Sequence, residues 1–486
     1  MLKIHLSEYS IACFALSGAV AFVVLRLILS RLHLGWIPRS LQRWRQENDS
    51  PVPRLGGVAI VAGILVVALV GWFRGAHLAA PSATTGLLVG MGGMFLAGLV
   101  EDFYPEFKGW RIPAQVVVAV AALLSGLRME SFHLPFLGEV EFSSLTGAAV
   151  TITWLVVCTN VIGLVNGVEG AVGGISLMVL GLTYDVAFGF GDAGVALFVA
   201  GMAGGLAALL WYNFPPAKIL LGRNGTYLLG MALGGLSIEV SHKGAFQFAF
   251  LAPTLAMGLP FLDVAIVIGR RLIRGVPLLR ADRRHIHHRL EDQGLDPIQT
   301  LMVMYAVSVC FLAGGFVVMW TQGQLIPLVL TLVVVLALLF VRQLSRDGSP
   351  TTVRSALSES AIIRREIKSA QVLGRWLSLQ SERVSGFDEF WSRACRVADD
   401  LQLLGLELQG DGITRYYSSG LPQSDGLSSR HRIVGPNGIS IQLLVRGDSA
   451  KTAPHLFYTL SELLTEAFQD GLQRARHFKL GGEGMI

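Results

Sequence analysis

AGVALFVAGMAGGLAALLWYNFPPAKILLGRNGTYLLGMALGGLSIEVS (193–241) sets two long apolar runs on either side of a short polar break. Each run is close to the ~20 residues that an α-helix needs to cross ~30 Å of hydrocarbon. The break places Arg223 and Asn224 beside a membrane-length segment. A charge there is costly unless it is solvated, paired or functional, so the break is either a loop anchor or part of a site.

The same pattern recurs along the chain. Of 486 residues, 52% are hydrophobic and 15% charged, and the mean hydropathy is +0.56, which excludes an ordinary soluble protein. Apolar runs near 10–30, 55–73, 82–100, 113–127, 146–165, 169–188, 193–212, 225–241, 246–269, 299–320 and 325–341 predict about eleven crossings. The first is read as a retained helix, since a single lysine precedes it and no small-residue cleavage site follows. Cys13, Cys158, Cys310 and Cys395 are too scattered for a disulfide framework or a zinc site. The net charge of +5 fits membrane topology and anionic phosphates or lipid rather than nucleic acid.

Basic residues alternate from loop to loop. Arg31, Arg39, Arg43, Arg45 and Arg54 follow the first span, Lys108 and Arg111 the third, Lys218 and Arg223 the seventh, and Arg270 to Arg289 the ninth. The positive-inside rule makes these loops cytoplasmic, with the N-terminus outside and the C-terminus inside. The unusual polar stretches fall on the same face: DSPVPRLGG (49–57), VEDFYPEFKGWRIPAQ (100–115), NVIGLVNGVEG (160–170), the opening break, and LPFLDVAIVIGRRLIRGVPLLRADRRHIHHRL (259–290). Their convergence predicts one site. On the opposite face only residues 128–145 suggest structure, a small hairpin.

Glu101 and Asp102 are adjacent carboxylates at a helix end, suited to a hard cation or to accepting a proton, or else a solvated helix end. Asn160, Asn166 and Glu169 recur near one face of a helix, and the glycines between them allow close approach of a ligand or of a neighbouring helix. RRHIHHRL gathers His285, His287 and His288 between Arg283, Arg284 and Arg289. Guanidinium forks pair with phosphate oxygens and imidazoles donate or exchange protons, so this cluster suits a diphosphate better than a metal, which the arginines would repel.

Together PVPRLGG, NFPPAK, LPFLD and DRRHIHHRL resemble the polyprenyl-phosphate N-acetylhexosamine-1-phosphate transferases, over about residues 10–343. The HIHH form and the span number resemble the O-antigen and teichoic acid initiators more than the peptidoglycan translocase. The resemblance implies a reaction in which a lipid phosphate, usually undecaprenyl phosphate, attacks the β-phosphate of a UDP-N-acetylhexosamine at the cytoplasmic face of the inner membrane and releases UMP. It implies Mg²⁺. By motif position it makes Glu101, Asp102, Asn166 and Glu169 candidate catalytic residues, with Asp102 toward the lipid phosphate. Arg54, Asn160, Arg223, Asn224, Arg283, His285, His287 and His288 become candidate substrate-binding residues.

The departures from the family pattern are as informative. The family carries Asp where this chain has Asn166 and Glu169, Asn where it has Gly163, and Asp-Asp where it has Glu101-Asp102. No counterpart to the Asp before PRLGG is found beyond Ser40. GDxGS, with its metal-ligating Asp, is here GRNGT, with Arg223 in that position. A guanidinium cannot ligate Mg²⁺. Either Arg223 supplies the missing positive charge, or Asp102 and Glu169 with Asn224 hold a weakened metal site, or the chain is an inactive relative that binds lipid phosphate or UDP-sugar and scaffolds other enzymes. Transport is a weaker reading, as no mid-membrane row of charges is seen.

The expected fold class is therefore an all-α polytopic membrane bundle (1–343), a helical linker (344–384) and a small cytoplasmic α+β domain (385–486) resembling GAF or PAS modules. Strands are predicted at LGLELQ, TRYYSS, HRIVG and ISIQLLVRG, with a PNG turn between the last two. This domain is expected to bind a regulatory protein or ligand, or to pair the chain as a homodimer. Cys395 and His431 are expected in core or surface positions rather than as ligands.

Overall fold

The computed structural model describes residues 2–33, 42–44, 51–73, 82–104, 108–134, 138–243, 250–274, 286–344, 353–384, 386–410, 413–420, 426–434, 440–448 and 454–474. It divides into two compact units, Met1–Val267 with Asp282–Gly348, and Ile268–Ala281 with Ser349–Ile486.

The first unit opens with α1 (Leu2–His33), a short antiparallel pair β1 (Gln42–Trp44) and β2 (Pro51–Pro53), α2 (Gly56–Phe73) and α3 (Ser82–Phe103). A 3₁₀ turn at Lys108–Trp110 leads into α4 (Arg111–Leu124) and then the hairpin β3 (Ser131–Leu134) and β4 (Gly138–Glu141), within the stretch where a hairpin is predicted. Then follow α5 (Ser144–Val165), α6 (Ala171–Gly189), α7 (Ala193–Asn213), α8 (Gly222–Lys243), α9 (Leu251–Ala256), α10 (Gly258–Arg274), whose residues from Ile268 on count with the second unit, α11 (Ile286–Asp292), α12 (Pro297–Trp320) and α13 (Ile326–Leu344). Among the described residues six helices are long and apolar enough to cross a membrane: Ser7–Arg31, Thr84–Phe103, Ser144–Val165, Ala171–Gly189, Ala193–Asn213 and Pro297–Trp320. Shorter apolar helices run over Gly56–Leu69, Arg111–Leu124 and Ile326–Val335. Where the sequence predicts a single span over 246–269, the described chain forms two helices, α9 and α10, broken at Met257.

α8 lies in the interior. Every residue from Asn224 to Val240 is buried, because α2, α3, α5 and α6 all pack on it. A helix with apolar residues on all sides is stable only when enclosed. Some of its polar groups are answered inside the protein: Thr226 Oγ1 donates to Gly222 O at 2.5 Å, and Trp154 Nε1 donates to Ser237 Oγ at 3.1 Å. The α3–α8 contact is backbone-close, since a Cβ on Gly98 would stand 2.5 Å from Arg223 O. Gly98→Ala is accordingly expected to push the start of α8 outward. It should lower thermal stability in detergent by about 1–3 kcal/mol for an overpacked seam, and an unchanged melting curve would contradict this contact.

The second unit contains α14 (Val353–Gln380), α15 (Phe387–Asp400), β5 (Gly405–Gly410), β6 (Ile413–Ser418), β7 (Gly426–Val434), β8 (Ser440–Asp448) and α16 (Pro454–Arg474). The four strands, all antiparallel, are ordered β6-β5-β8-β7 and overlap the segments predicted from sequence, while the PNG turn lies outside the described residues. Alternation along the strands turns Leu406, Leu408, Ile441, Leu443 and Val445 into a core with Phe390, Phe457 and Phe468 of the helices. Part of the stretch predicted as a linker is a packed helix, since Ile367, Ala370 and Leu377 of α14 belong to the same core. Cys395 and His431 are both buried here. Burial, with Asp399 nearby, pushes the Cys395 thiol up to about 11, and His431 Nε2 shares hydrogen bonds with Ser429 Oγ at 2.8 Å and Ser461 Oγ at 3.2 Å.

Candidate active site

The polar break of the opening stretch is zipped onto the PVPRLGG motif. Leu220 N donates to Pro53 O at 2.8 Å, Gly56 N to Leu220 O at 3.0 Å and Gly57 N to Leu221 O at 3.2 Å. The chain then turns into α8 at Gly222, whose φ of +76° suits only a residue without a Cβ. A side chain there would also meet Arg54 O at 2.5 Å.

A helix start leaves its first N–H groups without intrahelical acceptors. For α8 the acceptor comes from another helix. Asp102 Oδ1 accepts from Arg223 N at 3.0 Å, and Oδ2 accepts from Asn224 N at 2.9 Å and Asn224 Nδ2 at 2.6 Å. Asp102, at the end of α3, is only 2% exposed and is a cap supplied in trans, its charge set against the positive end of the helix dipole. Asn224 also donates to Arg54 O at 2.8 Å, which ties the PVPRLGG motif to the same point.

Glu101 is likewise occupied. It accepts from Arg111 Nε at 3.3 Å, from Arg111 Nη2 and from Tyr227 Oη at 2.5 Å, and it forms an ion pair with Arg223 Nε at 3.5 Å. Neither Arg111 nor Tyr227 is singled out by the sequence reading, where Arg111 counts only as a loop cation. The available signal was the spacing of Tyr227, four residues after Arg223 and so on the same face of α8.

The α5–α6 connection corrects one expectation. Asn160, Asn166 and Glu169 do not share a continuous helix face, because α5 ends at Val165 with Asn166 as its C-cap and Gly170 turns the chain at φ +83°. Asn160 remains in the helix, its amide donating to Gln115 Oε1 at 2.6 Å and Val156 O at 2.8 Å. Glu169 faces the NFPPAK element, accepting from Ala217 N at 2.7 Å, while Asn213 Oδ1 accepts from Gly170 N at 3.1 Å. LPFLD meets the histidine motif through Asp263, which accepts from Ile286 N at 2.9 Å. His287 is buried against Gly167, where a Cβ would stand 2.3 Å from its Nε2. Arg283 and His285 lie outside the described residues, and His288 belongs to α11 with its side chain outside them.

These elements enclose a cavity of about 420 Å³. Of the predicted site residues, Arg54, Asp102, Asn160, Asn166, Arg223 and His287 line it, joined by Arg111 and Tyr227. Glu101 stands behind Arg111 and Arg223, Asn224 is fully buried, and Glu169 is not among the described walls. Three guanidiniums, Arg54, Arg111 and Arg223, stand against the two carboxylates Asp102 and Glu101, an excess of one positive charge among these groups.

This donor set does not fit a divalent cation. A hard cation needs carboxylate or carbonyl oxygens turned toward it. Here both oxygens of Asp102 accept N–H groups, Glu101 is held by two arginines, Glu169 is bound to a backbone N–H, and Arg223 occupies the position of the expected ligand. Asn224 Oδ1 has no partner among the described residues but is packed against Gly57. Among the described residues no three His, Cys, Asp or Glu side chains are grouped to hold a metal.

Comparison with known proteins finds similarity in this region. Residues 84–241, which take in α5, most of α3 and α8 and the break between α7 and α8, match the family described as glycosyl transferase family 4. It is 29% identical over 273 residues to a probable undecaprenyl-phosphate N-acetylglucosaminyl 1-phosphate transferase of Bacillus subtilis, covering 56% of this chain and 75% of the relative. It is 26% identical over 307 residues to a decaprenyl-phosphate N-acetylglucosaminephosphotransferase of Mycolicibacterium smegmatis, covering 58% and 76%. It is 27% identical over 326 residues to a phospho-N-acetylmuramoyl-pentapeptide-transferase of Moorella thermoacetica, covering 62% and 97%.

Proposed function

We propose that this protein transfers a sugar-1-phosphate, an N-acetylhexosamine phosphate, from a UDP-sugar to undecaprenyl or another polyprenyl phosphate at the cytoplasmic face of the inner membrane, and so starts a surface polysaccharide. An oxygen of the lipid phosphate attacks the β-phosphorus, the bond to the bridging oxygen of UMP breaks, and UMP leaves. A phosphate monoester has a second pKa near 6, so the lipid nucleophile is already largely a dianion at neutral pH and needs no general base. What the reaction needs is positive charge to bring two anions together and to stabilise the transferring group. The observation that carries the reading is Arg223 at the cavity wall beside Arg111 and Arg54. A guanidinium can stabilise phosphoryl transfer, and here it stands in for Mg²⁺.

The test is UMP release by purified protein with UDP-sugars and undecaprenyl phosphate, with and without EDTA. Rates within about twofold are expected, because a fixed guanidinium is not removed by a chelator. Strict dependence on added Mg²⁺ would overturn the substitution.

One observation favours a second reading. Glu101 is held by Arg111, Arg223 and Tyr227, and Asp102 accepts three N–H groups from the start of α8, so both carboxylates are engaged in holding the site together, as in a site kept for binding. A relative of this kind would hold lipid phosphate or UDP-sugar without turnover and act as a scaffold, its C-terminal α+β unit engaging a regulatory protein, a ligand or a second copy. Binding of UDP-sugar with no UMP release under any metal condition would establish it.

A further inference from the structure

We infer that Glu101 is not a reacting carboxylate but a positioning residue which, together with Tyr227, holds Arg111 and Arg223 as a guanidinium pair for the diphosphate of the sugar nucleotide. The inference deepens the proposed function and rests on it for the identity of the ligand.

Three side chains from two helices meet at the carboxyl of a residue on a third. Glu101 closes α3, Arg111 opens α4, and Arg223 and Tyr227 share a face of α8. Glu101 Oε1 contacts both Arg111 Nη2 and Arg223 Nε, and Oε2 accepts from Arg111 Nε and Tyr227 Oη. Its residue exposure is 8%, so its lone pairs are directed at side chains rather than at the cavity. Two like charges brought this close repel each other, and a shared carboxylate both offsets the repulsion and fixes the planes of the two forks.

The arginines themselves remain accessible, at 33% and 37% of side-chain surface, and both line the cavity. Arg223 makes its ion pair with Glu101 through Nε, and its Nη1 lies toward the glycine of α5, 3.8 Å from where a Cβ of Gly163 would stand. Tyr227 lines the cavity but is only 2% exposed, and its hydroxyl is turned to Glu101 at 2.5 Å, so the phenol O–H is committed to the carboxylate. A diphosphate carries its negative oxygens on two adjacent phosphorus atoms, which a pair of forks held side by side can engage together.

The test compares full-length wild type, Glu101→Gln and Tyr227→Phe, in detergent with EDTA present. Binding of UDP and of uridine is measured by calorimetry, and UMP release by steady-state kinetics. A positioning role predicts that UDP affinity falls about 10–100-fold in Glu101→Gln and about 3–10-fold in Tyr227→Phe, as for loss of groups that orient a site. Uridine affinity should be unchanged, and turnover should fall in parallel with UDP affinity. A catalytic carboxylate would give the opposite split in Glu101→Gln: turnover lost with UDP affinity intact. Equal UDP affinity in wild type and both variants overturns the inference, and Tyr227→Phe decides alone if Glu101→Gln does not fold. If wild type binds UDP and the variants lose it while no UMP is ever released, the inference stands and the transferase reading fails. Absence of UDP binding by wild type overturns both.

Discussion

Arg223→Ala is expected to lower UMP release by about 10³-fold, within the range found when an arginine that stabilises phosphoryl transfer is removed. The side chain lies on the cavity wall, so its removal takes one of three guanidiniums away from the cavity while Glu101 stays paired with Arg111 and Tyr227. Arg223→Asp is expected to be worse. It would put a third carboxylate beside Glu101 and Asp102, both of which are already committed to N–H donors from Arg111 and from the start of α8. Added Mg²⁺ is expected not to restore the rate, because a single new carboxylate does not build a coordination shell. The measurement is the initial rate of UMP release across a Mg²⁺ series. A gain of activity in Arg223→Asp would show a metal site that has lost its ligand, and would sink the reading in which the arginine takes part.

The second large effect falls on stability. Asp102→Ala removes the acceptor for Arg223 N, Asn224 N and Asn224 Nδ2 at once, in a place where Asn224 is fully buried. Loss of an N-cap costs ~1 kcal/mol, and a buried donor left without a partner ~1–3 kcal/mol, so a total of about 2–4 kcal/mol is expected. α8 is the helix around which the first unit packs, and fraying its start should be felt beyond the site. Thermal unfolding followed in detergent would register the loss. Asp102→Asn, which keeps one acceptor oxygen, should recover part of it. If Asp102→Ala melts like wild type, the carboxylate is not a structural cap and its role is with the lipid phosphate alone.

Much of the cavity lining was legible in the sequence. Arg54, Asp102, Asn160, Asn166, Arg223 and His287 line one cavity, and all sit in polar stretches that interrupt apolar runs. A polar residue beside a membrane segment is costly enough to stand out in a hydropathy profile, whatever its partners. What did not stand out was which of these groups were already paired. Glu101 reads as a free acid because Arg111 is ten positions away and Tyr227 is 126, separations that carry no local signal. Glu169 reads as a neighbour of Asn160 because a period of three to four is shared by a helix and by the turn that ends one. Only the left-handed Gly170 and the bond to Ala217 direct it to the NFPPAK element instead.

By itself the sequence determined the apolar helices, their order, the polar breaks between them and the strands of the C-terminal unit, because each depends on the composition of a short window and on its period. The tertiary structure decided which helix is enclosed, that Asp102 caps a helix 121 positions further along, and that Arg111 and Arg223 share the carboxyl of Glu101. Those outcomes depend on where α3, α4, α5 and α8 cross, and the crossing is fixed by backbone approaches such as Gly98 against Arg223 O rather than by any property of one segment.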